Sequence, residues 1–471
     1  MKFNKNIKII QKDLELIYAK YPKLTPILNA IDAAGGTAYF VGGMVRDLLL
    51  QRPVKDVDIE IHGLSSKQVE QVLQQFGVVD LVGKSFGVFK LYGVDVDWSL
   101  PRTDSSGRKP VVEVDPHMSI EQAFARRDLT INALGINAKT GELVDPFNGL
   151  QDVQNNILRS PNISFFAQDP LRFFRVMQFI ARFEMQPDEE LNALCKKMDI
   201  SKVSRERIEQ EFNKMLLRSK RPSLGIRWLK DIGRLQEILP ELYATISVQQ
   251  KQPYHPEGDV FEHSMQALDA AARIACNTEY EKLILLYAAM CHDLGKSKVS
   301  KIVDGNICSH GHAQVGAPLA NKMLKRIACN KTLIDTVVKL VKLHMEPLGF
   351  IKSNAKKPAY KRLARKLSPD ANIALLAKLF LADKQGRNPK SSMPLECEFD
   401  EVNTFTQKAE QAHVLSLPEL PLLTGKDFLD VIKPCPDLGK VVKKAYELQL
   451  DGITDKDVLK KETLSFFDFN K

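Results

Sequence analysis

Two acidic residues follow a glycine turn near the start of the chain. Gly42 and Gly43 separate a predicted strand from a predicted helix. Without Cβ atoms, they let backbone N–H groups approach a phosphate at a helix N-terminus. Asp56 and Asp58 are two residues apart on the next predicted strand, so their carboxylates face the same way and suit Mg²⁺ that also binds substrate phosphates. The combination predicts metal-assisted phosphoryl or nucleotidyl transfer, whereas the aspartates alone would also fit a solvated strand edge.

Histidines and aspartates form a second group, in segments with helical hydrophobic patterns. Five of the nine histidines fall in these segments. The candidate ligands are His263, His292, Asp293, His312, His344 and Asp383. Neutral imidazole and carboxylate bind divalent transition metals or Mg²⁺. A single histidine here would more often be a core residue, so the number of groups carries the prediction of a metal site. His310 and Lys296, in the same segments, receive no role.

The hydrophobic patterns indicate the elements that position both groups. Upstream of the glycine turn, one helix is predicted over residues 12–34. Around the first group, strands are predicted at 37–41, 56–61, 85–92 and 94–100, and helices at 44–50 and 66–76. From about residue 145, strands become scarce and amphipathic segments dominate. The Pro- and Gln-rich stretch 249–255 is a predicted linker.

Five motifs follow one another in the N-terminal half of the chain. They are VGGMVRD at 41–47, KDVD at 55–58, RRDLTINAL at 126–134, DPLRFFR at 169–175 and ERIEQEF at 206–212. In type and order they resemble the class II tRNA nucleotidyltransferases of the polymerase-β superfamily, which comprise CCA-adding enzymes and bacterial poly(A) polymerases. The resemblance covers roughly residues 37 to 240.

This resemblance implies a role for each motif. Gly42 and Gly43 would hold the triphosphate, and Asp56 and Asp58 would bind catalytic Mg²⁺. Ribose recognition would fall to Arg127, Asp128 and Asn132, and recognition of the base edges of CTP and ATP to Asp169 and Arg172. A carboxylate accepts from the exocyclic amine of cytosine or adenine, while a guanidinium donates to ring or carbonyl acceptors. Further candidates for nucleotide binding are Arg46, Arg102 and Arg175.

Other interpretations of these motifs stay open. The segment that begins at Arg126 also fits an N-capped helix, and Asp169 and Arg172 also fit an i,i+3 ion pair. The family usually has glutamate where this chain has Gln168, which affects the support of the base-recognition pair. The segment 83–90 resembles the CCA-adding version rather than poly(A) polymerases. The loop 102–118, with Asp104, Gly107, Arg108 and Lys109, resembles the flexible loop that switches such enzymes from CTP to ATP, and Asp97 is a candidate third carboxylate.

The order His263, His292-Asp293, Asp383 resembles the HD-domain metal phosphohydrolases over roughly residues 255 to 390. In such domains, positions like His312 and His344 hold added ligands or catalytic groups. The resemblance implies hydrolysis of a phosphoester by metal-activated water, with 2′,3′-cyclic phosphodiesterase, 2′-nucleotidase and phosphatase activities. It also implies a divalent transition metal such as Ni²⁺, or Mg²⁺, at this site.

Composition limits the partners and the compartment. The 471 residues carry 67 Lys and Arg against 58 Asp and Glu, a net charge of +9, which favours a polyanionic partner. Seven cysteines without a CxxC pair indicate a reducing compartment. The first residues lack an apolar leader, and no run of about 18 apolar residues occurs. We therefore expect a soluble cytoplasmic protein.

The predicted macromolecular partner is the acceptor arm of tRNA, with CTP and ATP as substrates and neither membrane nor DNA as a partner. Because tRNA ends are held mainly by shape and phosphate contacts, basic helix faces are candidates. These are represented by Lys214, Arg218, Lys361 and Arg365. Such charge runs are more often solvated helix faces. The oligomeric state, monomer or homodimer, stays open.

The resulting fold class is α+β: a polymerase-β-like mixed α/β nucleotidyltransferase head followed by an all-α neck, an HD domain and a helical tail. The predicted boundaries are a helical extension at 1–36, the head at 37–145, the neck at 146–248, the HD domain at 255–390 and the tail at 391–471. The predicted function is template-independent addition and repair of the 3′-terminal CCA of tRNA, with HD phosphohydrolase activity. Alternatives are a poly(A) polymerase, a partial CC- or A-adding enzyme, or an HD phosphohydrolase with an inactive RNA-binding head.

Overall fold

The computed structural model describes residues 12–82, 88–104, 112–252 and 254–467. The chain divides into two units, residues 1–211 and 212–471. The first unit contains a seven-stranded mixed sheet with the strand order β3-β4-β5-β2-β1-β8-β9. The strands of this unit are β1 (Thr37–Val41), β2 (Asp58–His62), β3 (Val79–Val82), β4 (Val88–Leu91), β5 (Val94–Ser99), β6 (Arg102–Asp104), β7 (Val112–Val114), β8 (Gly135–Asn137), β9 (Leu143–Val144), β10 (Ile157–Leu158) and β11 (Gln186–Pro187).

The helices of the first unit lie before, between and after these strands. They are α1 (residues 12–20), α2 (Leu24–Ala33), α3 (Gly43–Leu49), α4 (Ser66–Gln74), α5 (Ile120–Ala125), α6 (Gly149–Asn155), α7 (Ile163–Phe166), α8 (Leu171–Phe183) and α9 (Glu189–Lys197). A 3₁₀ turn covers Thr130–Asn132, and α10 (Arg205–Arg218) contains the boundary between the units. The mixed sheet with helices confirms the predicted α+β head.

The two faces of the sheet differ because side chains alternate along each strand. Ile59 and Ile61 of β2 and Trp98 of β5 are fully buried, in one core with residues of α1, α2 and α4. The alternate residues of β2 and β5 are polar and lie on the opposite face. One sheet face therefore supplies stability, and the other is left for polar chemistry.

Two local predictions differ from the structure. The single helix predicted over 12–34 is two helices, which are separated near Pro22, because proline has no N–H to donate and its ring clashes with the preceding turn. The strand predicted from Asp56 begins at Asp58 instead. Asp56 is exposed and precedes the strand, so only Asp58 of the pair has a strand neighbour.

The second unit is helical, as predicted. Its helices are α11 (Ser223–Asp231), α12 (Leu235–Ile238), α13 (Pro240–Tyr243), α14 (Val260–Arg273), α15 (Glu279–Cys291), α16 (Lys296–Val299), α17 (His312–Ile327), α18 (Lys331–Leu343), α19 (Glu346–Lys352), α20 (Lys357–Leu367), α21 (Ile373–Gln385), α22 (Asp400–Gln411), α23 (Pro436–Leu450) and α24 (Lys456–Ser465). A 3₁₀ turn covers Gly425–Phe428, and β12 (Lys301–Val303) pairs with β13 (Asn306–Cys308) as a hairpin. Among the described residues, no helix combines the length and apolarity needed to span a membrane.

Candidate functional sites

The glycine turn lies at the C-terminal end of β1. Gly42 has φ 69° and ψ −129°, a conformation that favours glycine, and it precedes α3. Its amide N–H donates to the Leu134 carbonyl oxygen at 3.3 Å. A Cβ atom at Gly42 would lie 2.9 Å from Nη1 of Arg127. The absence of a side chain therefore lets the Arg127 guanidinium lie against the turn.

The carboxylates lie on the polar face of the same sheet. Asp58 at the start of β2 is the Cα partner of Asp97 on the parallel strand β5, so the two side chains share a face. Lys90 of β4 contacts Asp97, with 3.1 Å between Nζ and Oδ1. Burial raises the pKa of Asp58, the charges of Asp97 and Asp56 raise it further, and Arg127 partly offsets them. A cation placed among these carboxylates would relieve their repulsion, which fits a Mg²⁺ site.

Glu60 is the buried centre of an ion cluster on the same face. Its carboxylate accepts from Nη2 of Arg127 at 3.2 Å and lies 3.1 Å from Nε2 of His62. Nη2 of Arg126 lies 3.6 Å from the same carboxylate. Burial alone would raise the pKa of Glu60, but the hydrogen bond from His62 and the charges of both arginines outweigh it and leave the pKa lowered. Glu60 thus holds Arg127 at the glycine turn. The alternation Asp58-Glu60-His62 was the only sequence signal for it.

Asp128 and Asn132 form a second buried network. Asp128 accepts from Nε of Arg175 at 2.6 Å and from Nδ2 of Asn132 at 2.8 Å. Nη1 of Arg46 donates to Oδ1 of Asn132 at 2.5 Å, and its guanidinium packs over the Phe183 ring. Burial raises the pKa of Asp128, but Arg175 and Asn132 more than offset it and leave the pKa lowered. The structure therefore brings four predicted nucleotide-binding residues into one network.

The predicted base-recognition pair lies at the start of α8. Oδ1 of Asp169 accepts from the Leu171 amide at 3.1 Å. Its carboxylate also accepts from Nη2 of Arg207, at 3.2 and 3.4 Å. Arg172 donates to the carbonyl oxygens of Phe165 at 2.7 Å and Arg126 at 3.0 Å. The exposed Gln168 precedes them. Arg207 was not predicted, although its motif was recognised.

The remaining predicted positions of the head are only partly described. Arg102 begins β6, which pairs with β7. The residues between these strands, with the predicted Gly107, Arg108 and Lys109, lie outside the described residues. So do residues 83–87 of the segment that resembles CCA-adding enzymes.

In the second unit, the predicted metal ligands converge. Nε2 of His263 lies 3.1 Å from Oδ1 of Asp383, 3.2 Å from Nε2 of His292 and 3.6 Å from Oδ2 of Asp293. All four side chains are buried. His263 lies on α14, Asp383 lies on α21, and His292 and Asp293 directly follow α15. Packing of α14 against both α15 and α21 brings the ligands together.

His312 and His344 join this group through Asp293. Oδ1 of Asp293 lies 3.2 Å from Nε2 of His312 and 3.7 Å from Nε2 of His344, and these two nitrogens are 3.1 Å apart. The other oxygen of Asp293 faces His263 and His292. Asp293 therefore faces two groups of ligands, each of which has atoms close enough for one ion.

A hydrogen-bond pattern shows that the histidines suit a metal. In His263, His292, His312 and His344, Nδ1 lies 2.7–3.0 Å from a backbone carbonyl oxygen. A carbonyl only accepts, so each Nδ1 carries a proton, and Nε2 is the nitrogen that each ring directs to the centre and that can bind a metal. Burial and the neighbouring His292 lower the pKa of His344 to about 3. The donor set of nitrogens and carboxylate oxygens fits a divalent transition metal.

Two cations contact the ligand carboxylates. Nζ of Lys296 lies 2.7 Å from Oδ2 of Asp293, and Nη2 of Arg387 donates to Oδ1 of Asp383 at 2.6 Å. Burial would raise the pKa of both aspartates, but the facing cations and histidines hold each pKa well below its usual range. Sequence reasoning gave neither cation a role, although both follow their aspartate at helical spacing.

A glycine allows this close packing. A Cβ at Gly295 would lie 2.0 Å from the His312 carbonyl oxygen and 2.6 Å from the Gly316 amide nitrogen. Both contacts involve backbone and leave no room for a side chain. Gly295 therefore lets the segment after Asp293 approach the start of α17, which carries His312.

The predicted RNA-binding residues have protein partners. Arg218 pairs with Glu279 at 2.8 Å, and Lys214 is exposed on the same helix. Lys361 pairs with Glu419, and the Arg365 guanidinium packs over the Tyr446 ring. RNA binding by these four residues stays a prediction.

Three family models match the chain. They are a poly(A) polymerase head domain at residues 38–159, a probable RNA- and SrmB-binding site of polymerase A at 184–245, and an HD domain at 260–384. A multifunctional CCA protein of Neisseria meningitidis serogroup A is 33% identical over 367 residues, which cover 76% of this chain and 84% of the relative. One from Mannheimia succiniciproducens is 36% identical over 291 residues, 59% of this chain and 67% of the relative.

Solved structures share the fold. A Bacillus stearothermophilus CCA-adding enzyme in complex with CTP has a TM-score of 0.63 at 19% identity, over 94% of this chain and 97% of that one. A Thermotoga maritima CCA-adding enzyme complexed with tRNA has a TM-score of 0.58 at 20% identity, over 94% of each chain.

Proposed function

Because the chain belongs to the family of multifunctional CCA proteins, we propose that its head adds the 3′-terminal CCA of tRNA, using CTP and ATP. The observation that carries this proposal is the pairing of Asp58 with Asp97 beside the turn at Gly42, with Asp56 directly upstream. A head that had lost its chemistry would not need to keep Asp58 and Asp97 on one sheet face. Activity on tRNA implies a cytoplasmic setting.

We propose that Asp56 and Asp58 hold Mg²⁺ in the head. Bound there, the ion would stabilise the charge on the reacting phosphate during nucleotidyl transfer. Arg127, which Glu60 holds against the glycine turn, supplies a positive charge where a triphosphate would approach the backbone. The side chains therefore provide both the negative site for the metal and the positive site for the phosphates.

Selection of the base falls to the start of α8. The Asp169 carboxylate accepts hydrogen bonds, and an amino group is present on both cytosine and adenine. Uracil lacks that amino group, so the pair favours CTP and ATP over UTP. The role of Gln168, next to Asp169, is tested by the length and composition of the product.

The test uses transcripts that end at the discriminator base, at C and at CC, with CTP and ATP, resolved at single-nucleotide length. We expect all three to grow to CCA and no further. Asp58→Asn should abolish incorporation, while the matched control Asp95→Asn, an exposed residue of β5, should retain it. Arrest at CC, addition of A alone or long A tails would identify the specialised alternatives, and no incorporation by the wild type would refute the proposal.

We further propose that the second unit hydrolyses phosphoesters at a divalent metal centre. A bound transition metal would supply a Lewis acid for attack on the phosphorus atom. The buried nitrogens of His263 and His292 favour such a metal over Mg²⁺, because Mg²⁺ prefers oxygen ligands. Lys296 and Arg387 provide positive charge beside the ligands, which suits an anionic substrate. Asp293 faces both ligand groups and would link two ions.

This proposal is tested with 2′,3′-cyclic nucleotides in Ni²⁺, Co²⁺ or Mg²⁺, together with elemental analysis of the bound metal. His292→Ala should abolish hydrolysis, and His312→Ala should remove one metal equivalent. His310→Ala, which removes an exposed histidine near His312, is the matched control and should change neither. If hydrolysis survives in His292→Ala, the proposed centre is wrong. The proposal for the head does not depend on this result, because CCA addition is measured separately in the same preparations.

A further inference from the structure

A buried carboxylate lies behind one of the proposed metal ligands, outside the segment that matches the HD family model. Glu257 precedes that segment, which starts at residue 260. Its side chain is fully buried, and Oε1 lies 2.7 Å from Nδ1 of His263 and 3.0 Å from Nδ1 of His255. The sequence analysis placed Glu257 at the start of the predicted HD domain, two residues after the predicted linker 249–255, and gave it no role. The structure instead packs it against α14, which carries His263.

The protonation of His263 decides what Glu257 does there. Nδ1 of His263 lies close to two acceptors, Oε1 of Glu257 and the Gly386 carbonyl oxygen at 3.0 Å. A nitrogen between two acceptors carries a proton, so this atom is a donor and not a metal ligand. Glu257 therefore belongs behind the ligand and does not form a third metal site with His255 and His263.

His255 strengthens this arrangement. Its ring meets the His263 ring edge to face, with 4.8 Å between centroids, and its Nδ1 contacts the same oxygen of Glu257. A buried carboxylate is costly unless it is paired, and these two ring N–H groups pair Oε1, whereas Oε2 has no hydrogen-bond partner among the described residues. Burial raises the pKa of Glu257, but the two hydrogen bonds outweigh it and lower the pKa to about 2.

We infer that Glu257 is a positioning residue that orients His263 and keeps the proton on its Nδ1, so that Nε2 faces the metal. This inference rests on the proposed metal centre and adds a residue to it. Partners of this kind also increase the basicity of a ligating imidazole, and their loss typically costs 10–100-fold in metal affinity. The segment before the HD domain thereby contributes to metal affinity.

The test is calorimetric titration of the full chain with Co²⁺, with the visible spectrum of bound Co²⁺ recorded in parallel. Glu257→Ala should weaken binding by about 10–100-fold with unchanged stoichiometry and a shifted spectrum. Glu257→Gln should lose less Co²⁺ affinity than Glu257→Ala, because the glutamine amide oxygen can still accept the hydrogen bond from His263. This variant keeps the test decisive if Glu257→Ala does not fold.

The matched control is Glu262→Gln, next to His263 on α14. Glu262 pairs with Arg227 and Gln266, so Glu262→Gln removes a partly buried carboxylate beside His263 but leaves the contact at Nδ1 of His263 intact. We expect its Co²⁺ affinity to stay within about twofold of the wild type. His292→Ala lacks a ligand of the site that contains His263, so its titration measures the background of Co²⁺ bound at other sites, including the head.

Four results would overturn the inference. The first is wild-type Co²⁺ affinity in folded Glu257→Ala, and the second is an equal loss of affinity in Glu262→Gln. The third is an unchanged Co²⁺ spectrum in Glu257→Ala. The fourth is loss of a whole metal equivalent in Glu257→Ala with unchanged affinity, which would make Glu257 a ligand. Absence of Co²⁺ binding above the His292→Ala background in the wild type would overturn the proposed centre as well, so the two failures are distinguishable.

Discussion

Replacement of Gly42 by alanine tests the geometry of the head. Gly42 has φ 69° and ψ −129°, where an alanine is strained. The new Cβ would also lie 2.9 Å from Nη1 of Arg127, which is closer than such atoms pack. The tip of the Arg127 side chain would have to shift, and because it also donates to Glu60 at 3.2 Å, that shift would weaken this hydrogen bond.

The structure sets the expected magnitude. Backbone strain at such a position costs about 1–3 kcal/mol. Weakening the charged hydrogen bond between Arg127 and Glu60 adds about 1 kcal/mol. Gly42→Ala should therefore destabilise the head by about 2–4 kcal/mol, and each kcal/mol lowers the melting temperature of a unit of this size by about 2–4 °C.

The matched control is the next residue. Gly43 begins α3, and a Cβ there would lie 3.4 Å from Nη2 of Arg46, which is ordinary contact. Gly43→Ala should change the stability by less than about 1 kcal/mol. The assay combines circular dichroism melts with CTP incorporation into tRNA that lacks CCA. Gly42→Ala should also lower kcat/KM at least about tenfold, which corresponds to about 1.4 kcal/mol of lost transition-state stabilisation.

Equal melting temperatures for Gly42→Ala and the wild type would refute this reasoning. So would an equal loss of stability in the two glycine variants, because only Gly42 has a strained backbone conformation. Gly43→Ala is a control for stability alone, since Gly43 is also predicted to hold the triphosphate. Arg127→Ala combined with Gly42→Ala separates the two contributions, since it removes the collision but keeps the strain.

Three further predictions follow from single contacts. Arg207→Ala removes the partner of Asp169, and since both are partly exposed we expect stability to fall by less than about 1 kcal/mol and kcat/KM for CTP and ATP by about 2–5-fold. Asp128 has a pKa below its ordinary 3.8, so it stabilises the fold above that pH and this contribution is lost as pH falls. The free energy of unfolding of Asp128→Asn, measured with urea, should therefore decrease less than that of the wild type as pH falls below about 4. Gly295→Ala, whose Cβ would meet the His312 backbone, should abolish metal binding at the centre of the second unit, measured by calorimetry.

Two of these predictions, those for Arg207 and Gly295, have control variants in the same chain. Lys202→Ala removes an exposed charge near Arg207 and should leave the kinetics unchanged. Gly439→Ala has open space around its Cβ in α23 and should leave metal binding intact. An Arg207→Ala loss above about 50-fold would mean that Arg207 itself contacts the nucleotide. An Asp128→Asn profile parallel to the wild type, or normal metal binding by Gly295→Ala, would contradict the other two arguments.

Local patterns in the sequence were sufficient for the parts of the sites that depend on neighbouring residues. The turn at Gly42 and the alternation in β2 follow from the conformational freedom of glycine and the two-residue period of a strand. The helix predicted over 12–34 was wrong at Pro22, where the periodic signal continued through a break. A period alone does not show where the chain turns between two helices that face the same core.

Contacts between distant segments required the tertiary structure. Glu60 and Arg127 are 67 residues apart, and Asp169 and Arg207 are 38 apart. The strand alternation places Glu60 on the polar face, but nothing local shows that Glu60 or Arg207 has a charged partner, because their partners are set by the packing of strands and helices.

The sequence by itself determined which chemistry is present: paired carboxylates after a glycine turn, and histidines with aspartates at helix ends. The tertiary structure alone decided how these groups act together. Glu60 holds Arg127, the two oxygens of Asp293 face separate ligand groups, and Glu257, just after the predicted linker, supports His263. The physical reason is that side-chain type and local period are encoded by neighbouring residues, whereas ligand geometry and the position of a proton depend on which distant backbone packs against each side chain.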